Sequence, residues 1–203
     1  MPDIIPNAKQ YFDRFIPERD PFLVQMEELA DREDYHIVGP VVGELLYILA
    51  HSINAKSILE LGTSIGYSTI YLANAIPENG KVTTVEYGLS ISEQAEANFK
   101  KAGVFDKIEL IFGEALCVIK ELKPQYDMIF MDIDKEFYVR ALPDVHRLLR
   151  PGGLLVVDNT ALPEADPFNR EIAINPGWRS VNLFAHLPGH GPVDDGICMA
   201  LRL

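Results

Sequence analysis

Two apolar runs in this chain end in side chains that could do chemistry. Met128-Ile129-Phe130-Met131 runs into Asp132, Asp134 and Lys135, and Leu154-Leu155-Val156-Val157 runs into Asp158 and Asn159. Two carboxylates and an amide oxygen make a hard donor set suited to Mg²⁺, with Mn²⁺ and Ca²⁺ as alternatives. Three protein ligands leave three octahedral positions for water or substrate. Asp132, Asp158 and Asn159 are therefore candidate metal ligands. Consecutive strand residues point to opposite faces, so Asp158 and Asn159 can meet one ion only where the chain leaves strand geometry.

A third run, Ile58-Leu59-Glu60-Leu61, enters Gly62-Thr63-Ser64-Ile65-Gly66 and then a helical spacing. Glycines there let the backbone approach a ligand closely. The pattern E-x-G-x-x-x-G departs from the dinucleotide fingerprint G-x-G-x-x-G, and a carboxylate at Glu60 would repel a pyrophosphate but suit a cationic ligand. Glu86 ends the next strand at about the 20-residue spacing at which an acid receives ribose hydroxyls. Gly113-Glu114-Ala115 ends the third, where backbone and carboxylate can meet an adenine edge. A nucleoside with positive charge and no phosphate fits these three strand ends, and S-adenosylmethionine answers that description.

The elements that must position these residues follow from periodicity. Short apolar runs at Ser57 to Leu61, Lys81 to Glu86, Lys107 to Phe112, Met128 to Met131 and Leu154 to Val157 alternate with helical spacing at 67–76, 90–102, 115–122 and 137–149. Strands separated by helices predict a mainly parallel sheet covered on both faces, and right-handed crossovers make it a doubly wound α/β sandwich. Helices are also expected around 7–15, 20–31 and 40–53. Arg179 to His186 and Gly196 to Leu203 read as an antiparallel pair, because the Pro/Gly loop between them holds no helix. The expected sheet has seven strands, mostly parallel, with that pair at its edge.

At 203 residues and 48% hydrophobic content, the chain is expected to form one domain, 1–203. A net charge of −12 disfavours a surface that tracks nucleic-acid phosphates. With no signal-like start and no span long enough for a membrane, the expectation is a cytoplasmic protein. Cys117 and Cys198, far apart and without CxxC spacing, are expected as buried reduced thiols. His51, His146 and His186 read as packing residues, as do Trp178 and Phe168, whereas His36 and His190 are candidates to border an acceptor pocket.

From about His36 onward the chain resembles the cation-dependent O-methyltransferases of the catechol and caffeoyl-CoA type. The resemblance rests on Ile37-Val38-Gly39-Pro40-Val41-Val42-Gly43-Glu44, the Glu60 loop, Val85-Glu86, Gly113-Glu114-Ala115, Met131-Asp132-Ile133-Asp134-Lys135-Glu136-Phe137-Tyr138, Val157-Asp158-Asn159-Thr160 and Val193-Asp194-Asp195-Gly196-Ile197. It implies a Rossmann-like class I methyltransferase sandwich that binds S-adenosylmethionine through Val38, Glu60, Gly62, Thr63, Ser68, Glu86, Gly113, Glu114, Ala115 and Asp132. It further implies Asp132, Asp158 and Asn159 as cation ligands, Lys135 as general base, a small aromatic diol as acceptor, and a homodimer. A lysine acts as a base only when neutral, which burial or a nearby cation favours. Residues 1–35 would border the acceptor site or a dimer contact.

This chain also departs from the family. Cys198 stands where the catechol enzymes place a glutamate, Ile133 replaces a small or imidazole residue, and 161–182 is short. Other readings are methylation of a hydroxylated uridine in transfer RNA, a degenerate S-adenosylmethionine-binding protein, and an NAD-dependent oxidoreductase, the last disfavoured by Glu60.

Overall fold

Strands buried between two helical layers must be apolar on both faces, with alternate residues serving opposite cores. A computed structural model, which describes residues 5–123 and 125–203, has this arrangement. Residues 1–4, part of the start read above as lacking a signal, lie outside it.

The elements run α1 (Ala8–Phe12), α2 (Pro21–Glu33), α3 (Gly39–Ser52), β1 (Ser57–Leu61), α4 (Tyr67–Ala75), β2 (Lys81–Glu86), α5 (Leu89–Lys101) and β3 (Ile108–Phe112). They continue with α6 (Ala115–Glu121), β4 (Tyr126–Met131), α7 (Tyr138–Leu148), β5 (Leu149–Val157), α8 (Asp166–Ile174), β6 (Trp178–His186) and β7 (Asp194–Arg202). The strands form one sheet in the order β3-β2-β1-β4-β5-β7-β6, with β7 antiparallel to both its neighbours. The chain reverses its direction of winding between β1 and β4, which pair in parallel from Ile58↔Met128 to Leu61↔Met131. A crevice opens at such a switch, outside the carboxyl ends of the strands.

Ile58, Met128, Phe130, Leu154 and Val156 pack with Leu46, Ala50, Ile70 and Phe99 under α3, α4 and α5. Leu59, Leu61, Ile129, Met131, Leu155 and Val157 pack with Tyr138, Val145 and Phe168 under α7 and α8. Each such fully buried side chain contributes about 1.5–3 kcal/mol. Helix α7 buries Tyr138, Ala141, Leu142, Val145 and Leu148, a stripe at helical spacing. Helix α2 starts at Asp20, whose carboxylate accepts from the Phe22 N–H at 2.7 Å, a cap worth about 1 kcal/mol.

The expected sheet, its antiparallel pair and the crossover helices agree with this structure. Three expectations are corrected. Cys117 is exposed, because the seven-residue α6 buries only Ile119; Cys198 is buried on β7, and burial pushes its thiol up to about 12. Within 161–182, taken from the sequence as short and assigned no helix, a 3₁₀ turn (Pro163–Ala165) and α8 place Phe168 and Ile172 in the core. Strand β5 starts at Leu149, well before Leu154, because Leu149 pairs with Tyr126 across a register shift.

The amino-terminal segment is tied to the β6–β7 hairpin by charge. Lys9 pairs with Asp194, and His186 lies 3.0 Å from both Asp13 and Asp194. The hydrogen bonds to Asp13 and then Asp194 raise His186 above its ordinary 6.5. A raised histidine contributes attachment that is fully present below its free value and is lost as pH climbs through the raised one. Amide protection factors across 8–16, referred to the base-catalysed exchange rate of the free chain at each pH, are therefore expected to fall above neutral pH and to lose that fall in His186→Ala; protection independent of pH in the unmutated protein would contradict this.

Candidate active site

One cavity of about 800 Å³ opens at the switch point. Its wall includes Val38, Gly62, Thr63, Ser68, Glu86, Gly113, Glu114, Ala115, Asp132, Lys135, Asp158 and Asn159, so twelve of the thirteen residues singled out from the sequence meet there. His36 and His190 also border it. Trp178 and Phe168 lie in the core, as expected for packing residues.

The loop after β1 is shaped by close backbone approach. Gly62 has φ +97, and a Cβ there would stand 2.1 Å from the Asp132 carbonyl oxygen. Gly66 has φ +87, with Phe99 against it. Ser64, between them, is held at φ +48, a left-handed conformation uncommon outside glycine. Its N–H donates to Glu86 Oε2 at 2.9 Å, while Tyr87 and Gly88 N–H groups donate to Oε1. Three donors leave room for one more on a carboxylate that can accept about four.

Glu60 is the exception. Alternation along β1 turns it away from the crevice into the α4 layer, where it is fully buried and off the cavity wall. Oε2 accepts from Thr84 Oγ1 at 2.6 Å and from Thr69, while Oε1 has no partner. Burial raises its carboxyl to about 7, against the opposing hydrogen bonds from Thr69, Thr84 and Ser68. Glu60 thus stands behind the loop and Ser68 instead of facing a ligand directly.

On the other side of the switch, Asp132 Oδ1 accepts from Lys135 Nζ at 2.9 Å; Lys135 begins a single 3₁₀ turn that curls back over the strand end. Asp134 sits exposed at the rim. After Val157 the chain leaves strand geometry, and Asn159 adopts φ +49. That turn satisfies the condition set by strand alternation and places both Asp158 and Asn159 on the wall. Asp158 is 1% exposed, and its Oδ2 lies 2.9 Å from His190 Nε2. Burial raises the Asp158 carboxyl, Asp132 adding to the effect and His190 opposing it. Burial alone would lower His190, but the Asp158 hydrogen bond and charge win and raise it to about 9.

Sequence reasoning assigned no role to Asp195. Its Oδ2 accepts from Asn159 Nδ2 at 2.6 Å, and its Oδ1 from the N–H groups of Ala161 and Gly196. This fixes the amide so that Oδ1 of Asn159 is the atom left for a ligand. In the sequence Asp195 stood only within Val193-Asp194-Asp195-Gly196-Ile197, one of the stretches that carry the family resemblance, an acid at the start of an apolar strand. The donor chemistry fits a divalent cation: three oxygen-bearing side chains on one wall, two of them carboxylates whose repulsion a cation would relieve. Among the described residues no three Asp, Glu, His or Cys side chains already converge in metal-binding geometry. Lys135 and His190 balance the two carboxylates instead.

The sequence profile of the O-methyltransferase family matches residues 20–165. A catechol O-methyltransferase from Niastella koreensis is 40% identical over 126 residues, covering 60% of this chain and 57% of the relative, so the chain spans little more than half of that protein's length in the match. A catechol O-methyltransferase from Mycobacterium tuberculosis is 35% identical over 157 residues, 76% of this chain and 71% of the relative. The structure of the O-methyltransferase TomG from Streptomyces achromogenes, in complex with S-adenosylmethionine, superposes with a TM-score of 0.86 at 27% identity, covering 96% of this chain and 95% of that one.

The buried Glu60 carboxyl generates a test. An acid whose folded value is raised from 4.5 to about 7 binds more protons folded than unfolded, so its contribution is fully present below 4.5 and is lost as pH rises through 7. Between those limits the difference is of order 3 kcal/mol. Urea denaturation at pH 4.5, 6 and 7.5 should show Glu60→Gln gaining stability relative to the unmutated protein as pH rises; a constant difference would contradict the buried, unpaired carboxylate.

Proposed function

The chain belongs to the S-adenosylmethionine-dependent O-methyltransferase family, and on that premise we propose that it transfers the sulfonium methyl group to one hydroxyl of a small aromatic diol, assisted by a divalent cation. The observation that carries this reading is the meeting of Asp132, Asp158 and Asn159 with Gly62, Thr63 and Glu86 on the wall of one cavity.

In this reading Glu86 takes a ribose hydroxyl at its remaining acceptor position, and Gly113, Glu114 and Ala115 border the adenine. Val38, Gly62, Thr63 and Ser68 close around the methionine part. Glu60 acts from behind, anchoring Ser68 and α4 and placing a buried carboxyl on the side of the sulfonium charge. Asp132, Asp158 and Oδ1 of Asn159 hold the cation. When bound, the cation supplies a Lewis acid that acidifies and orients a chelated hydroxyl. Lys135, its Nζ beside Asp132, receives the proton of that hydroxyl. By holding donor and acceptor in line, the walls can contribute up to about 7–11 kcal/mol of the barrier reduction.

The whole chain acts as one methyltransferase unit in this proposal, and as a homodimer. Support for the dimer is the edge strand β6, which leaves Val181, Leu183 and Phe184 exposed at 47%, 48% and 74%. An uncovered apolar edge strand is a template for pairing.

Turnover, cofactor affinity and molecular mass test these readings. With S-adenosylmethionine and Mg²⁺, a catechol panel should be methylated, and a chelator should abolish turnover. Lys135→Ala should lower kcat about 10²–10⁴-fold while calorimetry finds its S-adenosylmethionine affinity within about threefold of the unmutated value. Turnover that survives chelation would remove the cation from the mechanism, and methylation of transfer RNA in place of every catechol would replace the acceptor class. For the dimer, light scattering should give twice the 22.7 kDa chain mass, and Phe184→Glu should give the monomer; a monomer before mutation would refute it.

A further inference from the structure

His190 comes from the β6–β7 loop, a segment that supplies none of the three proposed cation ligands, yet it is 5% exposed and lies against one of them. Its position is fixed from several sides. Its N–H donates to the Leu187 carbonyl at 3.0 Å. The adjoining Gly189 touches the start of α3 so closely that a Cβ on Gly39 would stand 2.4 Å from the Gly189 carbonyl oxygen.

The ring itself is oriented by the Pro192 carbonyl, 2.8 Å from Nδ1. A carbonyl only accepts, so Nδ1 carries a hydrogen. Metal-binding histidines are held in this way, one nitrogen donating to a backbone carbonyl while the other bears the lone pair for the ion. The other nitrogen, Nε2, points at Asp158 Oδ2 (2.9 Å) and lies 3.5 Å from Asn159 Nδ2, the end of that amide held by Asp195. Adjacent ligands on an octahedral ion with bonds near 2.1 Å stand about 3.0 Å apart, which is the spacing of this nitrogen and oxygen.

We propose that His190 Nε2 is a fourth protein ligand of the cation held by Asp132, Asp158 and Asn159, and that it shifts the site's preference from Mg²⁺ toward Mn²⁺ and Co²⁺. The proposal rests on the cation reading given above. An imidazole nitrogen adds little for Mg²⁺, which favours oxygen, and much for the later divalent ions.

Mn²⁺ binding followed by electron paramagnetic resonance tests this without turnover. Pulsed spectra of the Mn²⁺-loaded protein should show nitrogen modulation from a coordinated imidazole, changed by ¹⁵N-histidine labelling and absent in His190→Gln. The variant should bind Mn²⁺ about 10–100-fold more weakly, with Mg²⁺ affinity changed by less than about threefold. Bound Mn²⁺ with no nitrogen modulation, or modulation that survives in His190→Gln, overturns the role of His190 and leaves the oxygen site standing. A protein that binds no Mn²⁺, or binds it equally in Asp158→Ala, overturns the cation site and this inference with it. Even if the variant fails to fold, labelled, unmutated protein without nitrogen modulation refutes the proposal, and modulation that persists in His36→Gln supports it.

Discussion

A single row of backbone hydrogen bonds, one residue past the strand ends, holds the site together. Gly113 donates to Glu86, Gly62 to Val85, Asp132 to Leu61 and Asp158 to Met131, at 2.8–3.1 Å. The row brings the exits of β3, β2, β1, β4 and β5 to one level, so each strand delivers its first loop residue to the same crevice. The close approach of Gly62 to the Asp132 carbonyl is the tightest point of that row. Any side chain at 62 would push β1 and β4 apart at the place where the nucleoside half and the cation half of the proposed site meet.

Around that row, buried acids are stabilised by different means according to where they point. Glu86 is held by three backbone N–H groups, and Asp195 by two together with an amide. Glu60 has hydroxyl donors alone and an oxygen without a partner, and burial dominates its ionisation. Asp158 has one backbone N–H, from Asn159, and otherwise relies on a histidine. A carboxylate with several N–H donors is fixed in charge and place, whereas one balanced by a mobile proton or ion can exchange that partner. The exchangeable acids, Asp132 and Asp158, face the cavity on the side of β4 and β5, whereas Glu86, fixed by its three N–H donors, faces it from β2.

The amino-terminal segment connects to this centre through two routes. Asp13 and Lys9 reach the base of the hairpin whose loop carries His190. Glu27 on α2 accepts from the hydroxyl of Tyr67, a cavity residue, at 2.6 Å, and is also bound by Arg19. A polar, surface-like stretch of sequence thus braces two walls of the cavity.

The strands, crossover helices, glycine loop and acid-bearing strand ends were legible in the sequence because alternation, helical spacing and left-handed turns are local properties. Periodicity over a few residues settled which runs are strands, and the resemblance to a known family agreed with it. The orientation of Glu60 was a matter of the same alternation, yet its partners Thr69 and Thr84 come from other elements, so its burial showed only in the folded chain. Helix α8 escaped notice because its apolar contacts, Phe168 and Ile172, are too few to set a period. The exposure of Cys117 depended on how little of α6 the sheet edge covers. Asp195 against Asn159, and His190 against Asp158, are separated by more than 30 residues and meet only because β7 pairs antiparallel with β5 and turns its loop over the switch point. Residue types and their order determined the chemistry this protein could hold; long-range pairing decided which atoms face one another, since hydrogen bonds between distant residues leave no periodic trace in a sequence.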